Sequence, residues 1–367
     1  GKTTTLIQNL QDFVDGDLVS DKILYVQADH FLVRKTSLYE ITETFVRLGG
    51  KAIAFDEIHK YPNWSMELKS IYDTFSDLRI LASGSSALEI HKGSHDLSRR
   101  AIVYHMFGLS FHEFIELKYG LQLPVYSLEN ILSEHAKISI EILKQLESKN
   151  LKILRLFSEY LEYGYYPYFL SFESIDEFKI TVEQNLHTTL ESDLVAIYPH
   201  LTGSSIKKIK QLVVYLTQAV PFTPNWQSIK KITEIGDDRT LKTYFKYLKD
   251  ASIIALLESG SEKMKKLEEP EKIFLSNTNQ IYAFCSSHPN VGTLRETFFL
   301  SSLRPVHTVT TARSTDFLVD QKYYFEVGGK NKTAEQIKSL DNSYLAVDDI
   351  EQGSKTRIPL WLFGFLY

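Results

Sequence analysis

Cysteine is nearly absent from this chain: Cys285 is the only one among 367 residues. An internal disulfide is therefore excluded, and a reducing cytoplasm is the compartment that this composition suggests. Long hydrophobic runs are missing too. The longest, such as IPLWLFGFLY at 358–367, fall far short of the roughly 20 residues that cross a bilayer, so no membrane partner is expected. Neither sign of charge dominates. The 41 Lys and Arg stand against 46 Asp and Glu, a formal net of −5, which argues against polyanion binding by the whole chain but leaves local patches open. No initiator Met stands at position 1, so the lack of a visible signal peptide carries little weight. What remains is an ordinary globular composition, 43% hydrophobic and 24% charged. At roughly 100–200 residues per domain, the length suggests two to four domains.

The first 110 residues alternate helical and strand-like segments. TTTLIQNLQDFV reads as a helix, KILYVQAD (22–29) as a strand, SLYEITETFVRLG (37–49) as a helix closed by Gly49-Gly50, and KAIAFDE (51–57) as an apolar strand. WSMELKSIYDTF (64–75) is a further helix, with LRILASGSS (78–86) and RAIVYHM (100–106) the last strands. Apolar strands separated by helices imply a parallel sheet covered on both faces. Residues 111–200 turn helical, without a Gly/Ser-rich linker, low-complexity tract or internal repeat. Residues 201–265 read as helix, short helix, Gly turn, helix and β-ribbon, the layout of a winged helix-turn-helix. This stretch carries eleven basic against six acidic side chains. Residues 266–367 return to α/β: VGTLRETFFLSSLR and TAEQIKSL as helices, STDFLVDQKYYFEVGGK as a hairpin, SYLAVDD and IPLWLFGFL as strands.

The chain opens GKTTTLIQNL. Gly1-Lys2-Thr3-Thr4 before an apolar helical run is the second half of a phosphate loop, G-x-x-x-x-G-K-[ST]. Alone, such a tripeptide arises by chance in roughly one of several chains of this size. A second motif changes the balance. IAFDEIH (53–59) is a buried-strand pattern ending in Asp56-Glu57, which places two carboxylates at the sheet edge where open α/β folds bind ligands. Backbone N–H groups of Gly1, Lys2, Thr3 and Thr4 would cradle phosphate oxygens. Lys2 would bridge the β- and γ-phosphates of ATP, and Thr3 would ligate Mg²⁺. Asp56 would hold the metal through its water shell, and Glu57 would orient or deprotonate the attacking water. In ILASGSSALEI (80–90) the candidates for a γ-phosphate sensor are Ser83, preferred, and Ser85; a plain Gly-Ser turn is the alternative. Arg99 and Arg100 offer an arginine finger acting on a neighbouring subunit, or a cap on the preceding turn.

AIAFDEIHKYPNWSMELKSIYDTFSDLRILASGSSALEI, followed by LSRRAIVYHMFGLSFHEFI, resembles the AAA+-type P-loop ATPases of bacteria and archaea, in which the core carries an extra C-terminal domain of uncertain role. The resemblance runs from Gly1 to about Glu116 and more loosely to the C-terminus. It implies an α/β P-loop NTPase with a helical region, a winged helix and a C-terminal restriction-endonuclease-like α/β domain. It also implies ATP and Mg²⁺ as cofactors, action as a nucleotide-driven switch or motor, and room for a homo-oligomer. In that fold the strand before the phosphate loop lies centrally in the sheet. A chain beginning at Gly1 is therefore expected to show a gap there, and to bind nucleotide poorly.

In the last segment, TDFLVDQKYYFEVGGKNK resembles restriction-endonuclease-like nucleases, which hold a divalent metal with an Asp and a (Glu/Asp)-x-Lys on the next strand. Asp316 and Glu326 fit the first two positions, and Glu296 offers a third carboxylate. The expected Lys is Gly328 instead, so a displaced Lys330 would have to swing in; a fold retained without cleavage is the other reading. Lys242, Lys246 and Lys249 lie on one side of the third helix of the winged-helix segment, as a DNA-reading helix would place them. Lysine-rich faces are also simply solvated. The aromatic run EYLEYGYYPYFL (159–170) is expected to fill a core or interface.

Overall fold

The computed structural model describes residues 1–84, 90, 97–219, 226–258, 271–285 and 289–367. The chain divides into two compact units: residues 1–106 with 192–199, and residues 107–191 with 200–367.

In the first unit, α1 (Lys2–Phe13), β1 (Ile23–Gln27), α2 (Leu38–Arg47), β2 (Ala52–Asp56), α3 (Trp64–Thr74) and β3 (Arg79–Ala82) alternate along the chain. Short turns of helix follow β1 and β2, and one turn at Leu194–Ile197 belongs to this unit as well. The strands form a parallel sheet in the order β1-β2-β3, with Tyr25 opposite Ala54 and Gln27 opposite Asp56. All five residues of β2 are buried, which is why its sequence is apolar up to its last residue. Its side chains alternate in destination. Ile53 and Phe55 join a core with Val26, Leu38, Phe45, Leu68 and Ile71, while Ala52 and Ala54 pack against Leu6 and Leu10 of α1. A capping box starts α2: Ser37 Oγ accepts from Glu40 N at 3.1 Å, and Glu40 Oε2 accepts from Ser37 N at 3.2 Å. Gly50 ends the following turn under the Phe45 ring, where any Cβ would lie 2.3 Å from Phe45 Cζ.

The expected strand at 100–106 does not form. Residues 101–106 run without strand pairing, and Ile102 and Tyr104 are 77% and 83% exposed. The reason is pairing. β3 bonds only β2, and no other strand of the described residues lies beside 101–106 to satisfy its N–H and C=O groups.

The second unit begins with α4 (Phe111–Tyr119), α5 (Leu128–Glu147) and α6 (Ile153–Glu159), the last continuing into a π-helical turn at Tyr160–Gly164. Next come α7 (Ile175–Thr188), α8 (Gly203–Ala219), α9 (Trp226–Thr233) and α10 (Asp238–Asp250). β4 (Ile254–Leu257) then pairs antiparallel with β5 (Lys272–Leu275). After α11 (Thr278–Phe284) and α12 (Val291–Leu303) comes a five-stranded sheet of β6 (Val309–Thr310), β7 (Phe317–Val319), β8 (Tyr323–Gly328), β9 (Ser343–Val347) and β10 (Arg357–Pro359). Its order is β10-β9-β8-β7-β6. The pairs β6–β7 and β7–β8 are antiparallel, β8–β9 and β9–β10 parallel.

Two expected elements differ here. TAEQIKSL makes only a short 3₁₀ turn, Glu335–Ile337. The run IPLWLFGFL gives a brief strand and then a buried 3₁₀ helix, Leu360–Phe365. A continuous apolar run does not distinguish a buried strand from a buried helix; here Trp361, Phe363 and Phe365 are all enclosed. The 159–170 aromatics do fill a core. Phe114 meets Tyr160, Tyr163 and Phe169, and Phe157 packs on Phe298 at 4.7 Å between ring centroids.

Candidate functional site

Asp56 ends β2 as a buried carboxylate, and four donors converge on it. Thr3 Oγ1 donates to Oδ2 at 2.6 Å and Tyr25 Oη to the same oxygen at 2.7 Å. Ser83 Oγ donates to Oδ1, and the Glu57 N–H reaches Oδ1 at 3.1 Å. Burial by itself would raise the Asp56 pKa; the hydrogen bonds from Ser83, Thr3, Tyr25 and the Glu57 backbone outweigh it and hold the carboxyl below its usual range. Tyr25 is pushed up to about 12 by burial and by its bond to Asp56. Parallel pairing fixes this geometry. Ser83 N donates to Phe55 O at 2.9 Å and Ile58 N to Ser83 O at 2.8 Å, so the ends of β2 and β3 are locked side by side.

Glu57 follows in a left-handed conformation, φ 51°, a strained position for a side chain of its size. Its carboxylate lies 3.7 Å from His59 Nδ1 and 3.6 Å from Lys60 Nζ, and Lys60 also reaches Asp29 at 3.2 Å. Lys2 and Thr4 flank Thr3 in the first turn of α1, directly after Gly1. The structure thus brings Thr3, Asp56, Glu57 and Ser83 together. Arg100 turns instead to Asp73 on α3, Nε to Oδ1 at 2.8 Å, and Arg99 is exposed with φ 70°. Ser85 lies outside the described residues. Tyr25 escaped the sequence reading. Its signal is a hydroxyl-bearing ring within the strand ILYVQ, where a half-buried Tyr favours a partner for its O–H.

A second set of ionisable groups lies in the other unit. Glu296 projects from α12, Asp316 precedes β7, and Glu326 is buried in β8. Lys272, at the start of β5, places Nζ 3.2 Å from Glu296 Oε2 and 3.1 Å from Asp316 Oδ1. Asp316 Oδ2 accepts from Val327 N at 3.0 Å. Burial, then the charge of Asp316, raises the Glu296 pKa to about 7, against the pull of Lys272.

Lys330 does not swing into this cluster; its Nζ pairs with Asp349 at 3.2 Å on the surface. Lys332 takes Glu326 instead, at 2.6 Å. Gly328 makes this exchange feasible, because a Cβ there would meet Lys332 Cγ at 2.8 Å. Arg357 holds the loop in place by donating to the carbonyls of Lys332 and Lys330 at 2.6 and 2.7 Å. Lys272 and Lys332 carried no signal in the (Glu/Asp)-x-Lys spacing, since one comes from a distant strand and the other from four residues beyond Gly328. Among the described residues no group of three His, Cys, Asp or Glu is arranged to hold a metal. On α10, Tyr244, Phe245, Tyr247 and Leu248 are buried as the pattern predicts; of the three lysines expected on its other side, Lys246 and Lys249 are exposed and Lys242 is half-buried.

Residues 1–115 match the family model of an AAA domain. That match, laid over the Thr3–Asp56–Ser83 arrangement, supports an AAA-like, nucleotide-binding ATPase domain at this end of the chain. Residues 154–283 match a domain of unknown function, DUF8612. Lys272 falls inside that range; Glu296, Asp316 and Glu326 fall outside both. The chain is 24% identical over 284 residues to the uncharacterized protein MJ1637 of Methanocaldococcus jannaschii, covering 74% of this chain. It spans 57% of that relative's length. Among the described residues, no helix is long and apolar enough to cross a membrane.

Proposed function

We propose that this protein is a cytoplasmic, Mg²⁺-dependent ATPase in which nucleotide turnover acts as a switch or motor. The observation that carries the reading is the convergence of Thr3, Tyr25 and Ser83 on the carboxylate of Asp56. Three donors keep that carboxylate ionised and oriented, as a residue beside a metal must be. Thr3 and Asp56 would hold Mg²⁺, which when bound would offset the charge of the phosphate oxygens. Lys2 and the N-terminal N–H groups of α1 supply positive charge at the same edge. Glu57 is the base or water-orienting group; the contacts to His59 and Lys60 hold its side chain in one place. Ser83, fixed against both Asp56 and the Glu57 N–H, is the group that would register the γ-phosphate. Exposed Arg99 is the better candidate for a finger toward a neighbouring subunit in a homo-oligomer, since Arg100 is engaged by Asp73. The test is Mg²⁺-dependent ATP hydrolysis by the full-length protein, beside Glu57→Gln: turnover lost in the variant supports the assignment, and no ATP binding by either protein refutes it.

A second reading, a nucleotide-gated DNA-binding or DNA-cleaving effector, is supported by two features. One is the winged-helix layout of α8–α10 with the β4–β5 ribbon. The other is the antiparallel β6-β7-β8 meander continued by parallel β9, with Lys272 joining Glu296 to Asp316 and Glu326 buried in β8. It predicts DNA affinity that falls steeply with salt, and its cleaving form predicts a nuclease activity lost in Asp316→Ala. A divalent ion does not fit these carboxylates as they stand, because lysines already occupy them, so no cleavage step follows from this geometry.

A further inference from the structure

Three carboxylates, Glu326 buried and Glu296 and Asp316 half-buried, repel one another unless a cation lies among them. In the second unit that cation is Lys272. Its ammonium bridges Glu296 and Asp316 at 3.2 and 3.1 Å and sits 5.6 Å from the centre of the Phe317 ring. Lys332 neutralises Glu326 at 2.6 Å, and the other oxygen of Asp316 is taken by the Val327 N–H. We propose that Lys272 is a tethered cation standing in the place of a divalent metal, and that it closes the carboxylate cluster to such ions.

The spacing argues for mutual exclusion. A metal bridging Glu296 and Asp316 would need oxygens at roughly 2.0–2.1 Å for Mg²⁺, so it would lie between the same two oxygens that the ammonium now joins. The charge count agrees. Glu296, Asp316 and Glu326 against Lys272 and Lys332 leave one formal negative charge with Glu296 ionised and none with it protonated, in either case too little to strip a divalent ion of its water. Without Lys272 two remain, on carboxylates already oriented. The origin of Lys272 adds a consequence. It comes from β5, the second strand of the ribbon after α10, and not from the sheet that carries Asp316 and Glu326. Displacement of that ribbon would withdraw the ammonium and expose the site. The inference is independent of the ATPase reading and bears on the second one: with Lys272 in place, the cluster has no metal with which to cleave a phosphodiester.

The experiment uses the full chain without nucleotide, and Mn²⁺ as the probe, its binding followed by electron paramagnetic resonance and by thermal shift. Wild type and Asp316→Asn are expected to bind Mn²⁺ identically, because the cluster takes none. Lys272→Met, which keeps length and loses charge, should gain one Mn²⁺ site at least about tenfold tighter than any in wild type. Its melting temperature should rise with Mn²⁺ where that of wild type does not, and Asp316→Asn in the same background should abolish both effects. Mn²⁺ binding by wild type that Asp316→Asn removes would overturn the proposal. So would a folded Lys272→Met that gains no site. If Lys272→Met does not fold, the comparison of wild type with Asp316→Asn decides alone.

Discussion

Asn279 is fully buried, and its side chain completes hydrogen bonds that the chain around it leaves open. Where α6 gives way to the π-helical turn Tyr160–Gly164, the carbonyls of Tyr160 and Leu161 accept from Asn279 Nδ2 at 3.1 and 3.0 Å. Its Oδ1 accepts from Tyr165 N at 2.8 Å. Asn279→Ala would strand two buried carbonyls and one buried N–H. At about 1–3 kcal/mol for each unsatisfied group, with some relaxation, the loss is about 3–5 kcal/mol. That is a large share of the roughly 5–15 kcal/mol that holds a typical domain. In a unit of this size it corresponds to a fall in melting temperature of roughly 10 °C. The assay is urea unfolding followed by far-ultraviolet circular dichroism, with Asn290→Ala as comparator. Asn290 only caps α12, accepting from Thr293 N at 3.2 Å, so its loss should cost about 1 kcal/mol. An Asn279→Ala protein no less stable than Asn290→Ala would show that the Asn279 side chain does not complete these hydrogen bonds.

Other consequences follow from the same contacts. Glu159 accepts from Lys118 at 2.7 Å and from Tyr119 at 2.8 Å. These partners hold its pKa at about 2 against the opposing effect of burial. An unfolded Glu titrates near 4.5, so the unfolded chain takes up a proton first as pH falls. The Glu159 contribution should thus be complete above about pH 4.5 and disappear toward pH 2, a slope that Glu159→Gln should flatten in urea midpoints measured against pH. Tyr25→Phe and Thr3→Val should be coupled to Asp56→Asn in double-mutant cycles of stability, by about 1 kcal/mol each; zero coupling would mean that the hydrogen bonds to Asp56 contribute nothing. Gly328→Ala should cost about 1–3 kcal/mol in thermal unfolding, because the new Cβ collides with the stem of Lys332; an unchanged melting temperature would contradict the placement of that loop.

The N-terminal unit was the more legible part of the chain. An unbroken apolar strand ending in Asp56-Glu57 has few alternatives, and Ser37 with Glu40, then Gly49-Gly50, punctuate α2 in the sequence as they do in space. Thr3, Asp56 and Ser83 could be named from spacing because each closes or opens a regular element. Tyr25 could not, since its role depends on which strand lies beside β2. The strand expected at 100–106 failed for the same class of reason: local pattern proposes a strand, but pairing makes one. Lys272 lay beyond reach because ion pairs between residues 24 and 44 positions apart leave no trace in spacing, and Lys332, six residues past Glu326, falls outside the (Glu/Asp)-x-Lys pattern. The buried polar run Ser276–Gln280 gave no warning either. Its purpose is visible only once the turn at Tyr160–Gly164 is placed against it.

In the proposed ATPase, Asp56 and Glu57 serve the nucleotide site. That is tested by Mg²⁺-dependent ATP turnover of the full-length protein, compared with Glu57→Gln and Asp56→Asn. Hydrolysis is expected in the parent, ATP bound but not turned over in Glu57→Gln, and weakened Mg²⁺ dependence in Asp56→Asn. Absence of ATP binding by the parent, or hydrolysis undiminished in Glu57→Gln, would contradict that assignment.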